Sequence, residues 1–212
     1  IVWLPNGPDL NLFRNFPLPP EKQYFDKSRP LNLFYIGAHG EANALDNIID
    51  AAKIMEMEDL PVKIFFIGDG PEKKNLIKKA GDLKNIIFKD PIPKNKIPEL
   101  MKKSDAILLS LDDVPLFRFG VSPNKLYDAY AIGRPLISTV PGDINDEINN
   151  YKLGFTAKAR DPENLVSAIK MLINSTRIDR EAMCSRARKL AETIYSRDKI
   201  NNKFNRMLRD II

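Results

Sequence analysis

LNLFYIGAHGEANALDNIIDAAKIMEMEDLPVKIFFIG, residues 31 to 68, is the stretch whose reading decides the fold. A short apolar run ends in glycine, a helix-like pattern follows over 43 to 58, and a second apolar run, VKIFFIG, again ends in glycine. Near-continuous apolar runs joined by a helical pattern mark strands buried on both faces of a parallel sheet. The pattern continues downstream. It predicts a helix over 71 to 80, a strand NIIFK at 85 to 89, a helix near 97 to 103 and a strand DAILLS at 105 to 110. A helix over 122 to 132, a strand PLIST at 135 to 139 and a sixth strand, LGFTA, at 153 to 157 complete the alternation. The fold class is α/β, a Rossmann-like doubly wound parallel sheet of about six strands. After Asp161-Pro162 only helical patterns remain, over 163 to 174, 179 to 195 and 197 to 211.

Three segments follow from this reading. Residues 31–160 form the sheet domain, and 161–212 supply C-terminal helices that pack on it. Residues 1–30, with Pro17, Pro19, Pro20 and Pro30, read as a linker or tail. The chain begins at Ile1 with a strand-like run into an Asn6-Gly7 turn, as the tail of something larger would.

At 212 residues, 43% hydrophobic and 29% charged, the composition is that of a soluble globular protein. The single cysteine, Cys184, excludes an intrachain disulfide and lies in a helical, charged stretch as a packing residue. The net charge of +5 permits an acidic partner, but Lys and Arg are spread without a tight block. Apolar runs such as AILLSL at 106 to 111 are too short to cross a bilayer, and no secretory signal opens the chain.

Ligands of open α/β sheets sit beyond the carboxyl ends of the strands, so the loops there carry the chemistry. The richest is RFGVSPNKLYDAYAIGRPLIST, residues 118 to 139. Ser122 and Pro123 form a cap and first-turn pair, and Lys125 falls in the first turn, which makes an anion site with phosphate as the natural occupant. Asp128 lies too far along the helix to compete for the amides and suits sugar hydroxyls. After the first strand, Gly37 and Gly40 flank the chain's one histidine, His39, with Asn43 just beyond; the plain reading is a tight turn with a solvated histidine. After the second strand, Gly68 to Lys73 is turn chemistry or a ligand loop. After the third, Asp90-Pro91-Ile92-Pro93 is stiff backbone that reads as a plain loop or as one able to pair with a base edge, followed by Lys94 and Lys96. After the fourth, Asp112 and Asp113 are adjacent and point apart, which suits neither an acid/base pair nor a D-x-D metal site.

Taken together, PNGPDLNLF, YIGAHGEANALD, IGDGPEKKNL, the DAILLS strand and FGVSPNKLYDAYAIGRPLI resemble the C-terminal, donor-binding domain of glycosyltransferase family 4, of the GT-B fold. The resemblance covers nearly the whole chain. It is closest to bacterial surface-polysaccharide transferases, such as N-acetylfucosamine transferases. It implies that Gly120, Val121, Ser122, Pro123, Asn124 and Lys125 hold the diphosphate of a nucleotide sugar, with UDP the expected nucleotide, and that Asp128 binds the ribose. Gly37, His39, Gly40 and Asn43 would face the phosphates and sugar, and Ile92 the base. The catalytic assignments are Lys125, Asp128 and His39. It also implies retention of anomeric configuration, no metal or other cofactor, an N-terminal acceptor-binding domain in the full-length enzyme, and a lipid-linked saccharide acceptor. Location is then cytoplasmic, peripheral at the inner membrane face.

Two departures stand out. Relatives carry two glutamates eight residues apart, where this chain has Gly120 and Asp128, so the upstream acid is absent or displaced to Asp112 or Asp113. The first loop also lacks the Arg and Lys of relatives, which leaves His39, Lys125 and Arg118 to balance the leaving diphosphate. Three rival readings stay open: a nucleotide-sugar 2-epimerase, a dinucleotide-dependent oxidoreductase, which would want G-x-G-x-x-G after the first strand, and a nucleic-acid binder, for which the aromatic-basic interleaving is missing.

Overall fold

The structure is a computed structural model that describes residues 4–16, 29–118 and 120–209, the side chain of Arg118 excepted. Among the described residues, six strands form one all-parallel sheet in the order β3-β2-β1-β4-β5-β6. They are β1 (Leu31–Ile36), β2 (Val62–Ile67), β3 (Ile86–Lys89), β4 (Ala106–Leu109), β5 (Leu136–Ser138) and β6 (Gly154–Thr156). The helices are α1 (Leu10–Phe13), α2 (Leu45–Met57), α3 (Lys73–Ala80), α4 (Ile97–Met101), α5 (Pro115–Arg118), α6 (Asn124–Ile132), α7 (Asp143–Asn150), α8 (Pro162–Asn174), α9 (Arg177–Thr193) and α10 (Arg197–Arg209). The expected Rossmann-like sheet is therefore present.

Strand order reverses between β1 and β4, which places the switch point at the centre of the sheet. β1 pairs with β2 from Leu31↔Val62 through Ile36↔Ile67, but with β4 only at Leu33↔Ala106 and Phe34↔Ile107. A crevice opens beyond that short ladder. Alternate strand residues feed the two faces: Leu33, Tyr35, Ile64 and Phe66 pack with α2 and α8, and Phe34, Ile67, Ile107 and Leu109 pack with α6 and α9. Burying such side chains at about 1.5–3 kcal/mol each is what holds the layers together.

At the opposite end of the strands, buried charges are tied down. Asp105, just before β4, accepts from Arg29 at 2.7 and 2.8 Å and from the Asn32 amide at 2.7 Å. Arg134, just before β5, donates to the carbonyls of Ser104 (3.0 Å), Lys102 (2.8 Å) and Gly133 (3.1 Å). Cys184 is buried in α9, which pushes its thiol up to about 11, as a packing residue requires.

Residues 4–16, within the segment read as linker or tail, pack on the sheet domain: Asp9 caps α1 through the Asn11 amide, and Phe13 is 1% exposed within the core shared with α6 and α9. Pro17, Pro19 and Pro20 lie outside the described residues. Several expected element bounds are corrected. The helix after β1 starts at Leu45 rather than 43, because a 3-10 turn over Glu41–Asn43 ends in left-handed Ala44 (φ 47°). The loop after β4 contains α5, and α7 fills a segment that carried no prediction. α9 begins at Arg177, two residues early, through a capping box of Thr176 and Asp179.

Candidate functional site

Above the switch point lies a cavity of about 480 Å³. Its floor is apolar, from Ile36, Ile92, Ile97, Met101 and Ile107. Its rim is polar, from Asn43, Lys94, Asn124, Lys125 and Asp128, with Gly37 and Ala38 at the first loop. The volume falls in the range of small-ligand sites, and the lining has the form of an apolar slot with a few converging polar groups.

Lys125 crosses the seam. It projects from α6 and donates to Tyr35 Oη (3.1 Å) and Asn43 Oδ1 (3.1 Å), with its ammonium 4.4 Å from the Tyr35 ring centroid. Tyr35 Oη in turn donates to the Ala38 carbonyl at 2.7 Å. All these partners are neutral, and burial lowers the ammonium to about 8. A cation held by neutral acceptors beside a cavity keeps its charge available for an anion. Asp128, one turn further along, has no hydrogen-bond partner among the described residues; burial raises its carboxyl to about 6, with Lys94 and Arg197 opposing the rise and Asp9 adding to it.

The helix start differs from the expectation. Ser122 does not cap it. α6 begins at Asn124, Pro123 stands at the cap position with no side-chain cap, and Ser122 Oγ instead accepts from the Asn6 amide (2.9 Å) and lies 3.0 Å from Tyr127 Oη. The first amides of α6 are therefore left without a side-chain acceptor, at the positive end of the helix dipole and at the cavity rim.

His39 is a correction as well. Its ring is fully buried rather than solvated, with centroids 6.1 Å from Tyr35 and Phe66 and 6.3 Å from Phe88. Neither ring nitrogen has a hydrogen-bond partner among the described residues. Burial, then Lys73, depresses its pKa, so it is neutral at pH 7 and supplies no charge to the cavity, which it does not line. Its backbone is structural: its amide donates to the Asp69 carbonyl (2.8 Å) and its carbonyl accepts from the Glu72 amide (2.9 Å). Gly68 and Gly70 are needed beneath this loop, since a Cβ on Gly68 would lie 2.0 Å from the Gly37 carbonyl oxygen, and one on Gly70 2.5 Å from that of His39. Packing of one loop on the next, rather than ligand contact, accounts for these two glycines.

Of the expected residues, Gly37, Asn43, Ile92, Asn124, Lys125 and Asp128 come together at this cavity. Gly120 and Val121 line a second one of about 350 Å³ with Leu126, Tyr127, Asp143, Ile144, Glu147 and Tyr195. His39, Gly40, Ser122 and Pro123 line neither. Asp112 is engaged by Arg160, at 2.8 and 2.7 Å, and is not free to replace an upstream acid. The Arg118 side chain lies outside the described residues. Sequence reasoning passed over Lys94 as a rim residue and Tyr35 beneath Lys125; Tyr35 reads as one more apolar residue of a buried strand.

Known proteins share this architecture. A glycosyltransferase from Rickettsia africae superposes with a TM-score of 0.76 at 17% identity, over 100% of this chain and 57% of that one. Anabaena HepE in complex with UDP and glucose gives 0.71 at 18% identity, over 96% and 55%. The C-terminal domain of LpcC, a glycosyl transferase group 1 family protein from Francisella tularensis, gives 0.67 at 22%, over 89% and 98%. The chain spans about half the length of the first two. No curated protein matches it in sequence. The family model described as glycosyl transferases group 1 matches residues 21–190, most of the 212-residue chain, and the chain belongs to that family.

Proposed function

We propose that the chain is the donor-binding half of a retaining glycosyltransferase of family 4 that takes a nucleotide sugar, UDP-linked. The observation that carries this is Lys125: a cation bonded, among the described residues, only to neutral groups, beside uncapped helix amides and across the rim from a carboxylate that has no hydrogen-bond partner among them. The base enters the slot of Ile36, Ile92, Ile97 and Met101. Asp128, ionised above about pH 6, accepts from the ribose hydroxyls. The diphosphate lies over the start of α6, where the amides and Lys125 stabilise the charge that develops as it leaves. That arrangement assigns no step to a metal.

The donor sugar extends toward Gly120. The one described atom within 4 Å of a Cβ built there is Asp143 Oδ2, at 3.9 Å, so Asp143 is assigned the hydroxyl contacts that an acid at position 120 would make. The sugar class is a hexose or an N-acetylated amino or deoxy sugar used in surface-polysaccharide biosynthesis. An acceptor-binding domain completes the enzyme, and the acceptor is lipid-linked at the cytoplasmic membrane face. Among the described residues no helix is long and apolar enough to cross a membrane.

Calorimetric titration with UDP and UDP-N-acetylhexosamines tests the site, repeated with Lys125→Ala and Asp128→Ala. Weaker binding in both is expected; unchanged UDP affinity in both would sink the assignment. Asp143→Asn should weaken the UDP-sugar more than UDP.

A further inference from the structure

Residues 4–9 form a strap laid against the start of α6. Asn6 binds Ser122 twice: its amide donates to Ser122 Oγ (2.9 Å), and its Nδ2 donates to the Ser122 carbonyl (3.0 Å). Gly7 lets the strap lie flush on the junction of α9 and α10, since a Cβ there would fall 2.3 Å from the Tyr195 carbonyl oxygen and 2.8 Å from Ile200 Cδ1. Arg197 fixes the strap from the other side, donating to the Gly7 carbonyl (3.2 Å) and pairing with Asp9 (3.5 Å). The next residues end in buried Phe13.

A serine just ahead of a helix ordinarily turns its oxygen onto the first free amides. Here that oxygen is taken by Asn6 and Tyr127, and the amides stay open. We propose that Asn6 is a positioning residue of the donor site: it draws Ser122 away from the helix start and so keeps the α6 amides available to the diphosphate. The strap also brings Asp9 and Arg197 near Asp128, on whose carboxyl they act in opposite directions. The proposal rests on the nucleotide-sugar reading above.

The test uses the whole chain as wild type, Asn6→Asp and Asn6→Ala, with UDP and UMP as probes. Asn6→Asp sets an acceptor against the Ser122 carbonyl. UDP should bind about tenfold more weakly and UMP by less than about threefold, with Tm within about 2 °C of wild type. Hydrogen exchange without ligand gives a readout that lost stability cannot imitate: faster exchange at the amide of residue 6, which loses Ser122 Oγ, and slower exchange at Asn124 and Lys125 as that oxygen turns onto them. Wild-type affinity for UDP in Asn6→Asp overturns the proposal. So does an equal loss for UDP and UMP with a fall in Tm, which marks a purely structural contact. A wild-type chain that does not bind UDP overturns the nucleotide-sugar reading itself, and the strap proposal with it.

Discussion

The two ends of the sheet treat buried charge in opposite ways. At the amino ends of the strands, Asp105 receives two bonds from Arg29 and one from an amide, and Arg134 is spread over three carbonyls. At the carboxyl ends, among the described residues, Lys125 bonds only neutral groups and Asp128 has no hydrogen-bond partner. Satisfied buried charges hold a fold together, whereas unsatisfied ones cost stability and mark where a ligand completes the bonding. Residues of the same chemical types are scaffold at one end and line the candidate site at the other.

The largest effect should come from breaking the satisfied end. Asp105→Ala removes the acceptor shared by Arg29 and the Asn32 amide and is expected to cost about 3 kcal/mol of stability in urea unfolding, while the folded fraction binds UDP as before. Lys125→Met should do the reverse. The folded ammonium, lowered to about 8, is penalised at every pH below that value, so removing it should leave stability unchanged or raise it by roughly 1–2 kcal/mol while UDP binding drops at least about tenfold. A fall in stability would show that Lys125 belongs with the scaffold.

Titration sharpens the same contrast. Lys125 loses its charge as pH rises through about 8, and Asp128 loses its charge as pH falls through about 6. UDP affinity, measured by calorimetry, should therefore be flat between those values and decline on both sides. A profile flat from pH 5 to 9 would remove both groups from the site. The smallest effect is expected for His39→Phe, which deletes two unbonded nitrogens among aromatic rings: stability within about 1 kcal/mol of wild type and unaltered UDP affinity.

The sheet was legible because its strands are apolar runs closed by glycine or proline, and a parallel sheet buried on both faces demands that pattern. α7 was not legible: in DINDEINN only Ile144 and Ile148 face the core, too little for a helical stripe to emerge from polar neighbours. The helix-cap reading of Ser122 failed because the competing donor, Asn6, is 116 residues away in sequence. His39 was misread for the same reason, since its surroundings are rings from β2 and β3 that only the fold assembles. That Lys125 and Asp128 meet at one cavity was legible because both lie in the first turns of one helix at the carboxyl end of the sheet.

The short ladder between β1 and β4 has a kinetic consequence. Only Leu33↔Ala106 and Phe34↔Ile107 register across the middle of the sheet, so β3-β2-β1 and β4-β5-β6 are joined by its shortest ladder, while both side-chain cores continue across it. With the fewest ladder pairs to break, the backbone should open locally along this line before the packed faces part. Lys125 already reaches from one half to Tyr35 and Asn43 on the other. A ligand bound to both halves would act as a clasp, slowing exchange at the seam far more than at the outer strands.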